Sequence, residues 1–219
     1  MLKETQKRLS ADGRGDLAQM VGFIRRALGH DYPIPNGKGK EVSGDMPRVS
    51  EKQLKDLREK LGWDPVVVVV DAWTLRELEE QTGVKSYLYG SKAENAAKAP
   101  AMRTEVAINL TNPKPRETYG KPFDKQKSIV EQANELVDGL TVTHPPTPAD
   151  AATIAQKVFD QTGTNILPDW TRVGKEGAVI VGSLNPGVGV HVEDFFRPDE
   201  AYGDIGLLSV AVPTAALEG

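Results

Sequence analysis

The residues best equipped for chemistry stand at the far end of a valine-rich stretch, AVIVGSLNPGVGVHVEDFF, running from Ala178 to Phe196. His191 and Glu193 are two apart, so on a strand they share a face and could offer an imidazole and a carboxylate to one divalent metal ion, while Asp194 points the other way. A catalytic zinc takes three protein ligands and keeps a fourth position open. The pair therefore falls short of a metal centre by itself and reads first as a solvated acidic strand end and loop. A second place is Asp71, which closes the run VVVVVD. A carboxylate just beyond the carboxyl end of a strand can hold magnesium or act as a base. Its short side chain can also cap the helix that follows. His144, in THPPTPADA, occupies the same kind of strand end. If the chain is an enzyme, Asp71 and His144 are its catalytic residues. The activity would then be that of a metal-assisted hydrolase or phosphoesterase, with His191, Glu193 or Asp194 contributed by the hairpin.

The glycines of the opening stretch do not cradle phosphate. Phosphate-binding loops open a helix, whose N-terminus supplies the amide donors. Neither GxxxxGK[ST] nor GxGxxG occurs, and no helical stripe follows Gly189. Val188, Val190 and Val192 alternate instead with Gly189, His191 and Glu193, which is strand periodicity. Asn185-Pro186-Gly187 supplies a turn between two such runs. A β-hairpin is expected, with Gly182 and Gly189 marking a bulge or a close approach by another backbone. HExxH and GxSxG are absent. The chain has no cysteine, which removes thiolate metal sites, disulfides and cysteine nucleophiles together. Trp63, Trp73 and Trp170 are isolated and read as core or rim anchors.

Five segments have helical punctuation. An arm over residues 1–30 places Met20, Ile24 and Leu28 on one apolar face. Ser50 with Gln53, and Thr74 with Glu77, form capping-box pairs ahead of two further helices. DKQKSIVEQANELVDG carries a stripe of Ile129, Val130, Ala133, Leu136 and Val137. The last helix has Thr147 as N-cap and Pro148 at its first position. The four after the arm end at Gly62, Gly83, Gly139 and Gly163, where a left-handed residue satisfies the final carbonyls. Val66–Val70 reads as a strand buried on both faces. Shorter strands are expected at 86–89, 105–110 and 140–143, with three more in succession after residue 178. The sum is an α/β or α+β domain over 50–219 with a mixed sheet, joined by a Gly/Pro-rich linker over 31–49 to the N-terminal arm.

Lys114, Arg116 and Lys121 lie in a proline-containing connection over 110–123, expected to be a basic lid or binding loop. No apolar run approaches the ~20 residues that span a bilayer, so no membrane association is expected. The N-terminus lacks the apolar segment of a secretory signal, and a cytoplasmic location is expected. The net charge of −4 combines a basic excess over residues 1–62 with an acidic excess in the rest. Nucleic-acid binding through the basic part is disfavoured by its interspersed acids. The reading that emerges is a non-catalytic α/β protein that binds a protein partner, with Met20, Ile24 and Leu28 as the contacting helix face and the 110–123 lysines and arginine as a second contact.

Overall fold

The first sheet of the protein is built from strands that are scattered along the chain. In the computed structural model, which describes residues 46–185 and 189–217, its order is β1–β3–β9–β4, antiparallel throughout. Here β1 is Pro65–Val70, β3 is Thr104–Asn109, β4 is Leu140–Thr143 and β9 is Val210–Pro213. The second sheet is mixed, in the order β2–β7–β6–β5–β8. It comprises β2 (Ser86–Tyr89), β5 (Trp170–Val173), β6 (Val179–Asn185), β7 (Gly189–Glu193) and β8 (Ile205–Gly206). The pairs β2–β7 and β5–β8 are parallel. The helices are α1 (Glu51–Leu61), α2 (Leu75–Thr82), α3 (Ser91–Ala96), α4 (Phe123–Glu131) and α5 (Pro148–Thr162). The expected arm, with Met20, Ile24 and Leu28, and most of the expected linker lie outside the described residues. From Met46 onward the chain forms one compact unit, an α+β arrangement of two sheets and flanking helices.

Alternation along the strands divides the core in two. Val67, Ala107, Ala211 and Val142 face α1 and α4, packing with Leu57, Phe123 and Val130. Val68, Val70, Val106, Ile108, Val210 and Val212 face the other way, into a core shared with α5 and with Val179, Val181, Val190 and Val192 of the second sheet. Every residue from Ala149 to Gln156 is buried. That run exceeds two helical turns, so the first two turns of α5 are enclosed on all sides rather than amphipathic. Its alanines let β1 and β6, one from each sheet, approach it closely.

Local signals hold at the helix ends. Ser50, Thr74 and Thr147 make reciprocal capping boxes with Gln53, Glu77 and Asp150, and Gly62, Gly83 and Gly163 adopt left-handed conformations past the C-termini. Two expectations are corrected. The pentavaline strand is not buried on both faces: β1 is an edge strand paired only with β3, and Val69 is 40% exposed. The helix expected to run to Gly139 gives way after Glu131 to a 3₁₀ turn, Gln132–Glu135. There the Asn134 side chain turns aside to accept the Val142 amide of β4, and Leu136 is left exposed. Among the described residues no helix is long and apolar enough to cross a membrane.

Candidate functional site

The face of the second sheet that turns away from α5 carries two cross-strand rows. Strand register aligns Tyr87 with His191 and Gly182 in one row, and Tyr89 with Glu193 and Ile180 in the other. Arg172 extends the second row as the partner of Ile180. A Cβ at Gly182 would stand 2.5 Å from the Trp170 ring. The missing side chain thus lets the indole lie flat across the strand toward His191. The result is a chain of rings. His191 lies 5.0 Å from Tyr87, 5.8 Å from Tyr89 in a stacked pose, and 6.5 Å from Trp170 edge-on. Trp170 meets Phe196 at 6.5 Å, and Phe196 meets Tyr202 at 4.9 Å. The chain has only five tyrosines, five phenylalanines and three tryptophans. Five of these meet on this one face, none of them fully buried, and Phe195 beside them is 68% exposed.

The hairpin itself is as expected: β6 and β7 pair antiparallel, with a register shift between Gly182 and Asn185. Its tip, 186–188, lies outside the described residues. Gly189 answers to close approach, since a Cβ there would stand 2.4 Å from the Lys85 carbonyl oxygen. His191 and Glu193 do share a face, and the Glu193 carboxylate has no hydrogen bond or ion pair to a described residue. Asp194 has a different task. Its carboxylate accepts the Lys92 amide at 2.6 Å and the Ala93 amide at 3.4 Å, capping α3 from 102 residues away. The three residues do not converge, and among the described residues no group of three His, Asp or Glu could hold a metal ion.

The Asp194 cap needs Gly90. This residue has φ +99° and no room for a Cβ, which would fall on the Asp194 carboxylate. Gly90→Ala is expected to cost about 2–3 kcal/mol in urea denaturation, from backbone strain plus the displaced cap. In an Asp194→Ala background the increment should shrink by about 1 kcal/mol, because the cap is already gone.

Asp71 and His144 are not brought together. They follow β1 and β4, which form opposite edges of the first sheet and run antiparallel to each other. Three strand spacings, roughly 14 Å, separate the edges, and the two residues leave the sheet at opposite ends. Nor does Asp71 cap α2, whose N-cap is Thr74. It pairs instead with Lys157 at 3.2 Å, whose ammonium also stands 5.1 Å from the centre of the Trp73 ring. His144 is buried, with Nε2 at 3.1 Å from the Gly174 carbonyl oxygen and Phe123 edge-on to its ring. Its Nδ1 has no partner among the described residues, and the next two residues are prolines, which lack an N–H to offer it.

Burial holds the His144 imidazole below its ordinary pKa, and nearby Lys127 adds to this. The sign of the pH effect follows. As pH falls through about 6.5, the unfolded chain takes a proton that the folded chain refuses until lower pH. Stability therefore decreases with falling pH in that window. Urea midpoints measured from pH 7.5 downward should show this slope, and His144→Gln should remove it.

The 110–123 connection is anchored rather than lid-like. Ser209 donates to the Pro113 carbonyl, Leu207 to the Thr118 hydroxyl, and Gln126 bridges the Thr118 and Ile205 carbonyls. Lys114 is buried inside it, its ammonium against the Asp169 carboxylate, which also accepts the Tyr119 hydroxyl at 2.8 Å. Burial works to lower the Lys114 pKa, and the adjoining carboxylate opposes this by favouring the cation. Only Arg116 and Lys121 of the three expected contact residues are exposed.

No family model matches this chain, and no curated protein or solved structure matches it either. The ring cluster is the feature that sequence reading missed. The alternation Tyr87-Leu88-Tyr89 is a legible sign of a half-exposed aromatic strand face, but Trp170, Phe196 and Tyr202 reach it only through the pairing of β5 with β6 and the return of the loop after β7.

Proposed function

We propose that this chain is a non-catalytic binding protein and that its partner is a protein received on the aromatic face of the second sheet. The observation that carries this reading is the concentration of partly exposed rings, Tyr87, Tyr89, Trp170 and Phe196, around His191. Tyrosine and tryptophan supply large contact area with little side-chain entropy to lose, and they dominate protein interfaces. Tyr87, Tyr89 and Trp170 are pinned by strands of the sheet, which lowers the ordering cost of binding. A cytoplasmic location belongs to the same proposal, consistent with a chain that has no cysteine.

Tyr89 and Phe195 are the most exposed aromatics of the region, 40% and 68%. Replacing both with alanine should leave the melting transition almost unmoved. The same change should weaken a stoichiometric protein partner, identified by affinity capture on the wild-type chain, by ten-fold or more. A partner held equally well by both proteins would place its site elsewhere and defeat the proposal.

A further inference from the structure

We infer that the aromatic face takes a basic segment of its partner, with a lysine or arginine side chain seated against His191 and Tyr89 and its charge turned to Glu193. The inference rests on the reading of this face as a protein interface and specifies the chemistry of what it receives. Three observations point to a cation. Glu193 is half-buried within the second row of the face, beside Tyr89 and Ile180, and its carboxylate has no hydrogen bond or ion pair to a described residue. A carboxylate in that position, between an aromatic ring and an aliphatic one-sided wall, gains more from a cation than one in open water does. The rings around it present π faces, and guanidinium or ammonium groups are attracted to such faces when partly desolvated. The loop bordering the face adds exposed Asp204, while its Asp199 and Glu200 pair with its one base, Arg197, at 3.0 Å and 3.2 Å, so the loop sets three carboxylates against one base. Arg172, the other guanidinium of the region, is fully buried, with Nη1 and Nη2 donating to backbone carbonyls.

Two other places were weaker. The cavity of about 190 Å³ lined by His144, Lys127, Glu131 and Lys175 holds charges of both signs, and the orphan Nδ1 is closed off from solvent. The groove of about 540 Å³ beside β2, lined by Leu75, Leu88 and Ala97 among others, borders an edge amide already taken by Glu79.

The test is a titration of the ¹⁵N-labelled full chain with an octapeptide of alternating arginine and glycine, and with its glutamate–glycine counterpart. The arginine peptide should bind saturably, shifting the Trp170 indole and the amides of Tyr89, His191 and Glu193, while the glutamate peptide does not bind. Glu193→Gln should weaken the arginine peptide about five- to ten-fold and Tyr89→Ala by a similar factor. Glu59→Gln makes the same charge change on α1, which packs on the other sheet, and should alter affinity less than two-fold. Shifts spread over other acidic surfaces, or equal losses in Glu193→Gln and Glu59→Gln, overturn the inference. If the titration is negative while the Tyr89→Ala/Phe195→Ala chain still loses its captured partner, the face remains an interface and only its preference for cations is lost. If neither responds, both readings fall.

Discussion

Arg172→Met is expected to destabilise the protein by about 3–4 kcal/mol and to release the loop over 194–204. The guanidinium is fully buried, yet no carboxylate of the described residues pairs with it. It donates to the carbonyl oxygens of Gly177 at 2.8 Å and of Arg197 and Glu200 at 3.1 Å each, and lies 5.6 Å from the centre of the Tyr202 ring. Three backbone acceptors from two loops thus converge on one planar donor. Methionine would fill the volume and leave all three carbonyls without it. Hydrogen bonds from a charged donor are worth about 1.5–3 kcal/mol each, but relief of the buried charge and hydration of the freed loop offset part of the sum. Arg172→Lys should recover less than half, since a single ammonium cannot fan out over three acceptors the way a guanidinium does. Urea denaturation gives the energy, and cleavage by a glutamate-specific protease after the exposed Glu200 gives the loop's release. A loss below 1 kcal/mol with unchanged cleavage would show that other contacts hold the loop.

Phe123→Ala should cost about 3–5 kcal/mol, the range for a large aromatic removed from a core. The ring is 2% exposed. It stands 5.2 Å from His144, edge to face, and so close to Gly177 that a Cβ there would fall 2.3 Å from it. Both neighbours are shaped around it, and neither can move in to fill the space. The cavity would also admit water beside His144 Nδ1, lifting the burial that keeps this imidazole neutral. Its pKa should then rise toward the ordinary value, and the decline of stability below about pH 6.5 should flatten. NMR titration of the His144 ring protons reads this directly. A variant that loses stability without any change in that titration would separate the ring's packing role from its shielding of the histidine.

What could be read ahead of the structure was local. Ser50, Thr74, Thr147 and the glycines that close α1, α2 and α5 carry their meaning within four residues, because capping is a contact between near neighbours. The β6–β7 hairpin was legible for the same reason, through alternation and Asn185-Pro186-Gly187. The helix α3 was not, because its N-terminus is capped by Asp194 across 102 residues and its SKAENA sequence has no apolar stripe. Strand β5 was hidden by Arg172, a charge where the pattern asks for an apolar residue. Asp71 and His144 looked alike as strand ends, but their distance depends on sheet order, which short-range patterns do not encode. The aromatic face was half legible: Tyr87, Tyr89 and His191 alternate visibly, while Trp170 and Phe196 are recruited by long-range pairing.

The order of the first sheet also has a consequence for biosynthesis. Strand β9 lies between β3 and β4, pairing Val210 with Ile108 on one side and with Thr143 on the other. A nascent chain that has emerged only as far as β8 holds β1 and β3 as one pair and β4 as a lone strand, with the valines of all three still seeking cover. Domains generally fold as units during translation, and non-local pairings are slow to form. This sheet therefore closes late, when β9 arrives as a keystone. The interval before that is when chaperone protection of the growing chain counts most.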